Sequence, residues 1–255
     1  MGFDVDPQLI MILVGFGFLA AFIDSVVGGG GLISLPALMF SGLSPSAAVA
    51  TNKLASSMGS LTSTITFYRS GKLDLKSVLK YVPFVFICSI IGAWIVHLLD
   101  PNLLKPLMLI MLAVVAVYTI LKKDWGGISG VKKLSKPKYI LFFIVIAFIG
   151  FYDGFLGPGT GSFLIFAFLM VGYDFLKAAG NAKLLNLTSN IGALLMFLYL
   201  GQVNFTYGII MGLSQIVGAA VGSRFALKRG SGYVRVLFII VTFTLLAKNT
   251  YDYFF

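Results

Sequence analysis

The chain has 255 residues, of which 58% are apolar and 11% charged, with a mean hydropathy of +0.98 and a formal net charge of +10. A soluble domain carries about 25% charged residues, so this composition excludes an ordinary water-soluble fold and fits a chain embedded in a lipid bilayer. The basic residues lie between apolar runs rather than on one amphipathic face, which excludes a nucleic-acid interface and makes them cytoplasmic anchors.

In chain order, Met1 to Asp6 is acidic and lacks the basic region of a signal peptide, so the first apolar segment is expected to be retained. Ten apolar segments follow, at about 8–27, 31–42, 46–68, 77–98, 103–122, 138–156, 160–173, 176–200, 205–227 and 233–253, most near the ~20 residues that a crossing helix needs. The second and seventh are too short to cross as plain helices, and each follows a glycine-rich break. The one obvious linker, 122–138, holds Gly126, Gly127, Gly130, Pro137 and six lysines. It divides the chain into a first transmembrane repeat, 1–121, and a second, 139–255.

The division is visible as a duplication. Phe22-Ile23-Asp24-Ser25 with Gly28 to Gly31 returns as Phe151-Tyr152-Asp153-Gly154 with Gly157-Pro158-Gly159-Thr160. Asn52-Lys53-Leu54 returns as Ala182-Lys183-Leu184, and Ser70-Gly71-Lys72-Leu73-Asp74 as Leu200-Gly201-Gln202-Val203-Asn204. Orientation follows from lysine and arginine in the short loops. The loop with Arg69, Lys72 and Lys76, the central linker, and the loop with Lys228, Arg229 and Arg235 are expected in the cytoplasm. The N-terminus and the Gly201–Asn204 loop carry no basic residue and are expected outside. Equivalent loops thus change sides, which an odd number of crossings per half produces. The expected fold is an all-α polytopic bundle of two inverted-topology repeats, about four to five segments each, with Gly-rich broken helices and both termini outside. Inverted repeats of this kind are the architecture of secondary transporters.

Four constellations carry the candidate chemistry. The glycine runs break the helices, and broken backbone at membrane depth survives only inside protein or against a water-filled cavity. Each run leads into a short helix whose N-terminal N–H groups favour an anion, which makes Gly29, Gly30, Gly31, Gly159 and Thr160 candidate substrate ligands; the alternative is close helix packing. Lys53 and Lys183 lie too deep in their apolar segments for an ammonium facing lipid. They flank a central anion site, or each forms a structural ion pair with the aspartate of its own repeat, Asp24 or Asp153. Asn52, Asn186 and Ser189 stand out among the polar residues of the same segments as hydrogen-bonding partners for an oxyanion. Asp24 and Asp153, intramembrane carboxylates, are candidates for proton coupling or for ion pairing. His97 and Cys88, the only residues of their types, lie away from these motifs, so no enzyme active site, metal site or cofactor is expected. There is also no G-x-x-x-x-G-K-[ST] nucleotide motif.

The combination of Phe22-Ile23-Asp24-Ser25, Gly28 to Gly31, Ala50-Thr51-Asn52-Lys53, Phe151-Tyr152-Asp153-Gly154-Phe155, Gly157-Pro158, Ala182-Lys183-Leu184-Leu185-Asn186, Thr188-Ser189-Asn190 and Gly218-Ala219 with Gly222-Ser223 resembles the sulfite exporter TauE/SafE family of membrane transporters, across essentially the whole chain. The resemblance implies an integral transporter of small sulfur-containing anions, such as sulfite or organosulfonates, in the cell membrane. An anion channel on the same fold, or an ion-coupled transporter of another small solute using the aspartates, is the alternative. Substrate, direction, coupling ion and oligomeric state stay open at this level.

Overall fold

The computed structural model describes residues 6–100 and 135–229, together with Leu103, Leu104, Pro106, Leu107, Ile110 and Val114. All regular structure among the described residues is helical: α1 (Pro7–Val27), α2 (Gly31–Phe40), α3 (Pro45–Arg69), α4 (Leu75–Leu98, with a 3-10 turn at Leu79–Tyr81), α5 (Lys136–Phe155), α6 (Thr160–Met170), α7 (Phe175–Tyr199) and α8 (Phe205–Arg229). These correspond to the first four and the sixth to ninth predicted segments. The fifth is described only at the scattered positions from Leu103 to Val114, and the tenth and most of the linker lie outside the described residues, as do the chain ends on which the predicted orientation of both termini rests.

Helix boundaries follow local chemistry. Asp6, Ser44, Asp74 and Asp174 each accept a hydrogen bond from a first-turn backbone N–H of the helix that follows, and Pro7 and Pro45 open α1 and α3. The two short helices end earlier than predicted, α2 at Phe40 and α6 at Met170, because Gly42 and Gly172 turn the chain into the left-handed region at φ 84° and 95°.

Helices α1, α4, α5 and α8 are long and apolar enough to cross a bilayer. They present large apolar side chains outward, Met11, Leu141, Phe148 and Val217 among them, as lipid contact requires. Helices α3 and α7 have 25 residues each and are less apolar because their polar side chains turn inward: Asn52, Lys53 and Ser60 on α3, and Asn181, Lys183, Asn186 and Asn190 on α7, are all buried. The chain is therefore an all-α polytopic membrane protein.

Packing repeats itself with the halves exchanged. Helix α1 lies along α8, and α5 along α4; α3 lies against α8, and α7 against α4; α3 and α7 meet at the centre. The register repeats as well. An added Cβ on Gly222 of α8 would collide with the carbonyl oxygen of Phe22, and one on Gly92 of α4 with that of Phe151. The loops are tied across the halves in the same way. The Asp74 N–H donates to Asn181 Oδ1 (2.9 Å), and the Asn204 N–H donates to Thr51 Oγ1 (3.0 Å). Each tie anchors a loop of one half two residues before the buried lysine of the other.

Candidate functional site

The site is assembled where the two glycine breaks meet. Gly28 ends α1 with φ 73°, and Gly157 and Gly159 precede α6 with φ 90° and 77°, a conformation that costs a residue with a Cβ dearly. The strands of broken backbone touch: a Cβ on Gly28 would collide with the backbone of Gly161, and one on Gly31 would stand 3.2 Å from Pro158 Cα. The Ser162 hydroxyl stitches them together, donating to the carbonyls of Val27 (2.9 Å) and Gly28. The Tyr152 hydroxyl holds the second break by donating to Pro158 O (2.7 Å).

Two ion pairs flank this junction. Lys53 Nζ lies 3.0 Å from Asp153 Oδ1 and donates to Asn190 Oδ1 (3.3 Å). The Ser189 hydroxyl donates to the other oxygen of Asp153. Lys183 Nζ lies 2.6 Å from Asp24 Oδ2, while Asp24 Oδ1 accepts the backbone N–H groups of Gly29 (3.0 Å) and Gly30 (3.3 Å). Each lysine therefore pairs with the aspartate of the other half of the chain. This corrects the expectation of pairing within a repeat. The reason is that α3 and α7 meet at the centre, so each presents its lysine to the partner half's broken helix. Both lysines are essentially inaccessible, and the Asp153 side chain is 3% exposed; the Asp24 side chain, at 23%, is the reachable member of the four.

A small polar cavity of about 30 Å³ opens between the pairs. Gly29, Gly30, Gly31, Asn52, Lys53, Gly159, Thr160 and Asn186 line it, together with Asp24 and Asp153. Lys183 and Ser189 do not line it; they stand behind, holding the carboxylates of Asp24 and Asp153. The Thr160 hydroxyl is engaged in closing its own turn, donating to Gly157 O (2.9 Å). Asn52 Oδ1 accepts from Ser56 Oγ (3.3 Å). The Asn186 side-chain amide faces the cavity and has no hydrogen-bond partner among the described residues. Sequence reasoning left Gln215 of α8 out of the site, although it is 3% exposed and lines the same cavity. The available signal was a lone glutamine in the apolar run 205–227.

Formally the site sums to zero, with two lysines against two aspartates. Among the described residues no group of three or more His, Cys, Asp or Glu is placed to hold a metal ion. Cys88 and His97 are not among the cavity's lining residues; His97 Nδ1 instead lies 2.6 Å from Gln202 Nε2 at the helix ends.

A membrane-embedded helical bundle, with two broken helices meeting at a buried, charge-balanced cavity, is the architecture of a transporter. The family model for sulfite exporter TauE/SafE matches residues 13–249, and the chain belongs to that family. It is 39% identical over 253 residues to the probable membrane transporter protein YfcA of Escherichia coli strain K12, covering 98% of this chain and 93% of that one. It is 34% identical over 251 residues to a probable membrane transporter protein of Haemophilus influenzae, covering 98% and 97%. A Sinorhizobium relative, probable membrane transporter protein ORF9, is 35% identical over 250 residues, covering 98% and 95%. No solved structure gives a significant match. The protein is thus a multi-pass membrane transporter, not an enzyme.

Proposed function

We propose that the chain is a secondary transporter, working as an exporter, of small sulfur-containing anions such as sulfite or organosulfonates. It works by alternating access around a site at the membrane midplane, between two halves of inverted topology. The reading rests above all on one observation: the pairing of Lys53 with Asp153 and of Lys183 with Asp24 across a single polar cavity.

Charge balance drives the mechanism. An anion entering a neutral, enclosed site leaves an uncompensated buried charge, which is strongly unfavourable. The anion must therefore displace a carboxylate from its lysine. Asp24 is the carboxylate that yields, because it is the accessible one. Its departure releases the Lys183 ammonium and the N–H groups of Gly29 and Gly30 together, a charge-assisted cradle for an oxyanion. Asn52 and Asn186 orient the bound anion, and the N-terminus of α6, at Gly159 and Thr160, faces it from the other half. A proton taken up by the displaced Asp24 keeps the site neutral, so proton and anion cross together and the imposed gradient sets the direction of net movement. Asp153, fully buried and held by both Lys53 and Ser189, keeps the opposite side closed meanwhile; reversal of these roles opens the other face.

The experiment is uptake of sulfite into proteoliposomes under a pH gradient, with the wild type and Lys183→Ala side by side. Gradient-driven uptake that the variant loses supports the reading. Sulfite uptake unaffected by Lys183→Ala contradicts it, and currents far above transporter turnover would instead indicate a channel.

A further inference from the structure

The cavity is lopsided, and its lopsidedness has one chemical feature. Asn52, Ser56, Gly59 and Ser60 fall on one face of α3 and line it in succession. Gly59 lies six residues beyond Lys53, about 9 Å along the helix axis at 1.5 Å per residue. There the cavity is closed by Gln215 from α8: a Cβ on Gly59 would stand 3.0 Å from Gln215 Oε1. Gln215 is 3% exposed, yet its amide has no hydrogen-bond partner among the described residues. Its amide is not among the sealed, unpartnered side-chain atoms of the described residues; it keeps its accessible surface on the cavity, where a ligand can reach it.

At the equivalent position the other half has no amide. Gly222 and Gly92 are equivalent by their contacts with the carbonyls of Phe22 and Phe151, and seven residues before each stand Gln215 and Val85. Val85 is fully buried in an apolar cluster against α5. The amide is therefore not part of the packing scheme that the two halves share.

We infer that Gln215 is a specificity-determining residue of the transport site, recognising a small oxyanion that still carries a hydrogen. The inference rests on the anion-transport reading above. A carboxamide offers N–H donors and a carbonyl acceptor without net charge. An oxyanion with an O–H accepts from the first and donates to the second, and so satisfies the whole group. A fully deprotonated anion, or a sulfonate with no O–H, leaves the amide oxygen unpaired. Sites built to hydrogen-bond a group reject analogues that lack it. Gly59, which Gln215 covers, stands about two helical turns along α3 from Lys53.

The test compares sulfite, at a pH where part of it is hydrogen sulfite, with methanesulfonate, in proteoliposomes carrying the wild type, Gln215→Leu or Gln215→Asn. Each variant is first checked for a monodisperse profile in detergent. The wild type is expected to favour sulfite. Gln215→Leu should raise the half-saturating concentration of sulfite about tenfold relative to that of methanesulfonate. Gln215→Asn, which keeps both amide functions, should retain part of the preference. An unchanged preference in Gln215→Leu overturns the assignment and leaves the anion site standing, provided that Lys183→Ala still abolishes uptake. Absence of uptake of either anion by the wild type overturns both. Sodium-dependent uptake lost in Gln215→Leu would overturn the assignment in favour of a cation ligand.

Discussion

Lys53 Nζ stands 3.0 Å from Asp153 Oδ1, a residue 100 positions further along the chain and in the other half of the molecule. The reciprocal pair, Lys183 with Asp24, closes at 2.6 Å. The halves are thus joined at their most buried point by charges rather than by apolar contact alone. Such a joint can be opened by a ligand that competes for the charge. An apolar joint of the same area offers a small anion nothing to compete for.

Removing one partner of the tighter-buried pair strands the other. Lys53→Met is expected to destabilise the protein by about 3–5 kcal/mol. The double variant Lys53→Met with Asp153→Leu should recover much of that loss, because no charge is left unpaired. Thermal unfolding of the four proteins in detergent, analysed as a double-mutant cycle, measures the coupling. Strictly additive losses would show that the pair is not coupled.

Gly157 packs against the same pair. An added Cβ would stand 2.8 Å from both Lys53 Nζ and Asp153 Oδ1, at a φ of 90°. Gly157→Ala should therefore cost about 1–3 kcal/mol of stability and lower transport more than its unfolding alone accounts for. Gly42→Ala is the control: it shares the positive φ but has open space around it. Equal transport by the two variants would show that closeness to the ion pair is irrelevant.

Much of this was legible in the sequence. Four consecutive glycines in an apolar run cannot continue a helix, so the break after Asp24 was visible, and its copy at Gly157 to Gly159 was visible by repetition. Lysines and aspartates inside apolar segments marked the site. The choice of partner was not legible, because Lys53 and Asp24 belong to one copy of the motif and their pairing looks natural along the chain. What decides it is the docking of α3 against α7, contacts between residues more than a hundred positions apart. Gln215 was hidden for another reason: a lone glutamine in an apolar helix reads as interhelical glue, and only the cavity distinguishes it.

Proton coupling assigns the two carboxylates different fates. Asp24→Asn keeps an acceptor for Gly29 and Gly30 but cannot carry the charge that holds Lys183. Its uptake of sulfite should become insensitive to an imposed pH gradient while exchange between equal sulfite pools continues. Full gradient-driven uptake by Asp24→Asn, or by the double variant with Asp153→Asn, would remove the proton from the mechanism.

Inverted orientation of the halves is checked by labelling. Cys88 is the only cysteine, so Cys88→Ala gives a background for single cysteines at Ser70 and Tyr199, both exposed at the ends of α3 and α7. A membrane-impermeant maleimide applied to intact cells should label Tyr199→Cys and not Ser70→Cys, and inverted vesicles should show the reverse. Labelling of both from one side would contradict opposite orientation.

An anion site between the two cross-half ion pairs is tested most directly by thermal stabilisation of the purified protein. The panel is sulfite, sulfate, thiosulfate, sulfoacetate, taurine, chloride and sodium, repeated with Lys53→Ala and Lys183→Ala. A sulfur oxyanion is expected to stabilise the wild type, by about 2.7 kcal/mol at a concentration one hundredfold above its Kd, and neither variant. A flat response to every anion together with stabilisation by sodium would contradict it and make the aspartates a cation site.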